Sequence, residues 1–221
     1  MSEVIASALL NIGGVRFQPD DPITFKSGIV SPVYCDNRRF PFHPREWREV
    51  IEGFVDLMAT AGLNFDVIGG IEAAGIPHSA VLGFVTATPS VFIRKATKEH
   101  GTKRRVEGGD VYGRHVLLIE DLVTTGSSSL AGVQALRDEG ATVTDCVAIV
   151  SYRFMEALEQ FEAAGVQLHT LTSFGEILEL ARRREMVSDA EAQSVAAWLH
   201  DPHGWAAQYG RAAQREGGEQ A

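Results

Sequence analysis

Cysteine is scarce in this 221-residue chain: Cys35 and Cys146 lie far apart and form no metal-ligand spacing, so a reducing, cytoplasmic setting is expected. Long apolar runs are missing as well. No stretch approaches the roughly 18–20 residues of a membrane span, and no membrane partner is expected. The first residues, MSEVIASALLNIGG, lack a basic n-region and carry Glu3, which speaks against a signal peptide. Positive charge is in deficit. The net charge of −9 argues against general binding to nucleic acid, so an anionic ligand requires a local basic patch. The patterns G-x-G-x-x-G and G-x-x-x-x-G-K-[ST] are absent too, which weakens the case for a generic Rossmann nucleotide binder. There is no internal repeat and no Pro-rich linker. A hydrophobic share of 45% with 22% charged residues is that of a globular protein, and the length suffices for one good-sized core.

What the chain does contain is concentrated between His115 and Ser129, HVLLIEDLVTTGSSS. The apolar run Val116-Leu117-Leu118-Ile119 reads as a buried strand and ends in two acids, Glu120 and Asp121. Thr124-Thr125-Gly126-Ser127-Ser128 follows as a small-residue loop and cap, and a helical pattern begins at Leu130. In an open α/β sheet the carboxyl end of a strand is where ligands bind. Hydroxyls and backbone N–H groups at a helix N-terminus suit a phosphate. Two acids beside a phosphate cradle suggest a ligand whose hydroxyls must also be gripped, such as a ribose phosphate.

The rest of the chain alternates in the same style. A short helix over residues 3–12 is followed by a strand-rich segment with a Ser27-Gly28 turn beside Lys26. Pro44 to Ala61 reads as a helix with Pro44 in its first turn. Phe65 to Gly70 reads as a strand leading through Glu72-Ala73-Ala74-Gly75 into another helix. Ser90 to Ile93 is a strand, and after it comes the densest basic stretch: Arg94, Lys95, Lys98, His100, Lys103, Arg104 and Arg105. A long polar loop punctuated by glycine in a compact domain is often a functional lid. Thr142 to Val150 is a further strand with Tyr152-Arg153 at its carboxyl edge, where a guanidinium could clamp a carboxylate. Met155 to Ala164, Phe174 to Met186 and Ala190 to Leu199 read as helices, with a strand at Val166 to Leu171. The residues from His200 onward read as a polar end. This order implies a mainly parallel sheet with helices on both faces.

Ile119 to Ser128 resembles the phosphoribosyl-pyrophosphate (PRPP) motif of type I phosphoribosyltransferases, in which a strand ends in two acids, two variable residues and a T-x-G-x-[ST] loop. Two further segments are similar to orotate phosphoribosyltransferases within that family. Phe25 to Tyr34 resembles F-x-L-K-S-G-x-x-S-P-x-Y/F, with Phe25 directly before Lys26, and Arg94 to Gly101 resembles R-K-x-x-K-x-H-G. The family's pyrophosphate loop is matched at Gly70 to Pro77, but Ala73 and Ala74 stand where some members have an aromatic-Lys pair. Tyr152 stands where an Asp usually precedes the Arg.

The resemblance implies a type I phosphoribosyltransferase fold over residues 1–175, with a small hood at about 1–40, and a helical extension over 176–221 on the same domain. It implies transfer of phosphoribose from PRPP to orotate. Catalytic residues are expected at Lys98, Asp121 and Glu120. PRPP contacts are expected from Arg94, Lys95, Lys98, His100, Glu120, Asp121, Thr124, Thr125, Gly126, Ser127 and Ser128. Orotate contacts are expected from Lys26, Tyr34, Thr124 and Arg153. Mg²⁺ is the implied cofactor, held mainly by PRPP and water with no direct protein ligand. A homodimer is implied in which the 94–108 loop reaches the neighbouring site. Two alternatives stay open: a phosphoribosyltransferase for another base, and a PRPP-sensing regulator that catalyses nothing.

Overall fold

The computed structural model describes residues 1–95 and 104–209. The chain opens with α1 (Ser2–Asn11) and four short strands, β1 (Val15–Phe17), β2 (Ile23–Thr24), β3 (Val30–Ser31) and β4 (Val33–Cys35). These strands form two antiparallel ribbons, β1 with β4 and β2 with β3. Gly28, at φ 86°, closes the turn between β2 and β3, with the Gly28 N–H donating to the Phe25 carbonyl at 2.9 Å. A 3-10 segment (Asn37–Phe42) leads into α2 (Pro44–Thr60), whose buried stripe is Val50, Ile51, Phe54 and Met58.

The central sheet follows: β5 (Val67–Ile71), α3 (Gly75–Thr86), β6 (Ser90–Ile93), β7 (Val106–Glu107), β8 (Val116–Val123), α4 (Ser127–Asp138), β9 (Asp145–Ser151), α5 (Met155–Ala163) and β10 (Gln167–Ser173). Its six strands run in the order β10-β9-β8-β5-β6-β7, all parallel except the edge strand β7. The expected mainly parallel sheet is therefore present. The antiparallel edge is an addition that two residues after a basic run did not announce.

Alternation along the strands divides the interior into two cores. Leu117 and Ile119 of β8 join Ile68, Val147 and Ile149 against α1, α2 and the C-terminal helices. Val116 and Leu118 face the other way, with Cys146, Ala148, Val133 and Leu136, toward α4 and α5. This register decides where the next two residues point: Glu120 toward α4 and Asp121 toward the N-terminal hood.

The described residues end in α6 (Phe174–Arg183), α7 (Asp189–His200) and a helical segment over residues 202–209. Ser173 with Glu176 and Ser188 with Glu191 form capping boxes at the starts of α6 and α7. The stretch after His200, read from composition only as polar, contains this last described helix. Its start is encoded locally: Pro202 lies in the first turn, and the Asp201 carboxylate accepts from Gly204 N–H at 2.9 Å. Trp205, buried, stacks on Tyr209 at 5.5 Å. These helices hold the hood. Buried Trp198 sits edge-on to Phe25, Tyr152 and Phe154, and its Nε1 donates to the Val30 carbonyl at 2.8 Å. Tyr209 donates its hydroxyl to the Asp20 carbonyl at 3.0 Å. Among the described residues, no helix is long and apolar enough to cross a membrane.

One close approach fixes the relation of α3 to β8. A Cβ on Gly75 would lie 2.6 Å from the backbone carbonyl oxygen of Ile119. Gly75→Ala should therefore push α3 off the sheet and cost about 1–3 kcal/mol in a urea titration. Gly175→Ala, whose nearest neighbour would be 3.9 Å away in a helix, should be neutral or stabilising by up to about 1 kcal/mol. Equal midpoints for Gly75→Ala and the parent would refute the close contact.

Candidate active site

The sheet reverses its direction of growth between β5 and β8, because β6 adds on one side of this pair and β9 and β10 on the other. Such a switch point leaves a crevice at the carboxyl ends of the two strands. Here β5 pairs with β8 only as far as Gly70 opposite Ile119, whereas β9 follows β8 to Val123 opposite Ser151. From Glu120 onward β8 has a partner on one side, and the acids lie along that half-free stretch. They belong to the strand itself rather than to the loop after it.

Glu120 is buried, and its two oxygens accept from Asp121 N–H at 3.1 Å and from the Ser129 hydroxyl at 3.2 Å. Burial, and then the neighbouring Asp121 charge, push its carboxyl well above the ordinary range. Burial also raises Asp121, opposed by its hydrogen bonds and by the charge of Arg38. The Asp121 carbonyl accepts from the Nδ2 of Asn37 at 2.9 Å. Asn37 is fully buried, so the 3-10 segment after the hood is pinned directly to the acid pair.

Beyond the acids the chain turns through Thr124 and Thr125 to Gly126, at φ 82°, where α4 begins. A Cβ at Gly126 would meet the Phe161 ring at 2.9 Å, so glycine is needed there for two reasons. Thr125 and Ser127 hydroxyls lie 3.0 Å apart, and among the described residues no side chain caps α4. The first N–H groups of the helix are left for a ligand, a ready anion site. A cavity of about 310 Å³ opens on this turn, lined by Phe25, Lys26, Ser27 and the loop from Leu122 to Ser129. It brings together Lys26, Thr124, Thr125, Gly126, Ser127 and Ser128 from segments about 100 residues apart in sequence.

Tyr34 is partly buried on β4, with the Arg16 guanidinium 5.0 Å from its ring centre. Arg94 and Lys95 leave the carboxyl end of β6. Lys95 N–H donates to the Glu72 carboxylate at 2.9 Å, which ties the start of the basic stretch to the loop between β5 and α3. Arg94 pairs loosely with Glu107 at 3.5 Å. Lys98 and His100 lie outside the described residues. Arg153 is placed differently from the other expected contacts. At φ 56° it turns outward, its side chain is exposed, and its charge acts on Glu176 at the start of α6. It does not line the cavity with Lys26. Tyr152 is the inward residue, stacked on Phe154 at 5.5 Å and close to Phe25 at 5.8 Å. The reason is the packing of the hood: an aromatic at that position fills the gap under Phe25 and Trp198, and the next residue must face out.

Asn37, Ser129 and Glu72 belong to this neighbourhood and escape a motif reading. The only trace of Asn37 in the sequence is its place directly after Tyr34-Cys35-Asp36, and Ser129 is the last member of a serine run.

A family model for the phosphoribosyl transferase domain matches residues 42–163. An orotate phosphoribosyltransferase of Coxiella burnetii is 39% identical over 201 residues, covering 91% of this chain and 96% of that one. Among solved structures, orotate phosphoribosyltransferase from Aeropyrum pernix superposes with TM-score 0.71 at 25% identity, covering 81% of this chain and 98% of its own. The Mycobacterium tuberculosis enzyme in complex with PRPP gives TM-score 0.62 at 25% identity, covering 79% and 98%. The chain belongs to the phosphoribosyltransferase family, and within it to the orotate phosphoribosyltransferases.

The raised carboxyl of Glu120 has a measurable consequence. The folded protein holds this proton more tightly than the unfolded chain does, so the resulting stability is fully present below the ordinary carboxylate range. It is lost as pH rises through the raised value. Glu120→Gln, which never ionises, should match the parent in urea midpoint near pH 4 and exceed it at pH 8. The gain is about 1.4 kcal/mol for each pKa unit separating folded from unfolded chain. A margin that stays flat or shrinks with pH would show that Glu120 ionises without penalty.

Proposed function

We propose that this chain transfers the 5-phosphoribosyl group from PRPP to orotate, giving orotidine 5′-monophosphate and pyrophosphate, a step of pyrimidine nucleotide synthesis. The observation that carries this reading is the junction, at the carboxyl end of β8, of an acid pair (Glu120 buried, Asp121 half-buried) with an uncapped helix N-terminus. The bond from the ribose C1 to the pyrophosphate oxygen breaks, a bond from C1 to a ring nitrogen of orotate forms, and that nitrogen gives up its proton. Positive charge grows on the ribose and negative charge on pyrophosphate, so no protein nucleophile is required.

Asp121 and Glu120 accept hydrogen bonds from the ribose hydroxyls and hold the sugar where it becomes cationic. Thr124, Thr125, Gly126, Ser127 and Ser128 cradle the 5′-phosphate with hydroxyl and N–H donors. Arg94, Lys95, Lys98 and His100 neutralise the departing pyrophosphate, with Lys98 as the candidate acid. Ala73 and Ala74 offer no polar side chain, so the loop between β5 and α3 contributes backbone N–H groups. Lys26, Tyr34 and Thr124 address the base. The donor set on offer, two adjacent carboxylates of raised pKa, suits Mg²⁺ that arrives on PRPP and keeps its water rather than a closed protein cage. When bound, the ion offsets pyrophosphate charge. The working unit is a homodimer in which the 94–108 loop completes the neighbouring site.

Pyrophosphate release from PRPP with Mg²⁺, scanned over orotate, adenine, guanine, hypoxanthine, xanthine and uracil, is expected with orotate alone. Turnover with another base would displace orotate, and no turnover with any base would favour a PRPP-sensing regulator. Mixing Asp121→Asn with Lys98→Ala protein should restore part of the activity if the loop acts across the dimer. No recovery in mixed dimers would place the loop over its own subunit.

A further inference from the structure

We propose that Arg38 reads the carboxylate of the acceptor base, an assignment that rests on orotate being the acceptor. The buried amide of Asn37 fixes the 3-10 segment to the main chain of Asp121. The next residue, Arg38, is thereby placed beside the ribose-binding acids, and its charge is felt by Asp121. Two of its five N–H groups are engaged: Nε donates to Asp36 at 2.6 Å and Nη2 donates to the Tyr34 hydroxyl. The other three have no partner among the described residues. The side chain remains 60% exposed, so its free edge is open to a ligand.

A guanidinium clamped on one edge and free on the other is preorganised for a two-point grip on a carboxylate. Tyr34 gives it the right neighbour. The ring that the base is expected to lie against is the one whose hydroxyl Arg38 holds, with Arg16 on the ring face. Arg16 and Arg38 bring two positive charges to the two sides of Tyr34, its ring face and its hydroxyl.

The other two cations expected at the base are placed differently. Lys26 lines the cavity of the Thr124 to Ser129 loop, on the phosphate side. Arg153, at φ 56°, has an exposed side chain outside the lining of that cavity. Arg38 is the cation hydrogen-bonded to the aromatic residue, and it directly follows Asn37, which binds the Asp121 main chain.

The test compares steady-state constants of Arg38→Ala, Arg38→Gln, Arg38→Lys, Tyr34→Phe and Arg153→Ala with the parent, for orotate and for PRPP separately. Turnover of orotate by the parent comes first; without it the acceptor assignment itself fails, whatever Arg38 does. Given that turnover, Arg38→Ala and Arg38→Gln should raise the KM for orotate at least about tenfold and leave the KM for PRPP within about twofold. Arg38→Lys should recover part of the loss, Tyr34→Phe should show a smaller loss, and Arg153→Ala none. Inhibition by uracil, which lacks the carboxylate, should be equal in parent and Arg38→Ala. An unchanged KM for orotate, an equal rise for both substrates, equally weakened uracil inhibition, or a loss confined to Arg153→Ala would each overturn the assignment.

Discussion

Glu120 and Asp121, ionisable and consecutive, occupy the middle strand of the sheet, and much of the surrounding structure answers to that placement. Because alternate residues of β8 face different cores, the two acids need separate partners. The Glu120 carboxyl finds Ser129 on α4, and the Asp121 carboxyl feels the Arg38 charge on the hood side, where Asn37 binds the Asp121 main-chain carbonyl. Burial without full neutralisation raises both carboxyl groups above their ordinary range, and this is a cost in stability that a core built for packing alone would avoid. Perturbed groups in a crevice mark functional sites more often than structural ones, and the switch point of the sheet is such a crevice.

The hood depends on the same arrangement from the other side. Its ribbons are two or three residues long and could not stand alone. They are held from below by Asn37 on Asp121 and from above by Trp198 and Tyr209. The aromatic group of Phe25, Tyr152, Phe154, Phe174 and Trp198 therefore connects the last helices to the wall of the cavity at the Thr124 to Ser129 loop. Residues beyond 174, remote in sequence from every motif, take part in the site by fixing where Lys26 and Tyr34 stand.

Much of this is legible in the chain, and the limits have physical reasons. The strand-loop-helix from Val116 to Leu130 declares itself because an apolar run, two acids and a Thr/Gly/Ser turn each point to the same local structure. The parallel sheet follows from the alternation of strands and helices. What escapes is whatever depends on contacts distant in sequence. Asn37 touches Asp121 across 84 positions, and nothing local to either residue reports it. Arg153 reads as a clamp at a strand end, and nothing local announces that its backbone takes a positive φ beside a buried Tyr152. The helix over residues 202–209 was hidden by polar composition, although Asp201, Pro202 and Trp205 supply a cap, a start and a buried anchor.

If the acid pair grips the ribose as proposed, the Thr124 to Ser128 loop alone does not account for PRPP binding. Calorimetric titration of PRPP with Mg²⁺ into the parent and Asp121→Asn tests it directly, with inorganic phosphate as a competitor that reports the loop. The account predicts PRPP binding weakened at least about tenfold in the variant while inorganic phosphate still competes. PRPP binding of equal affinity in both proteins would contradict it.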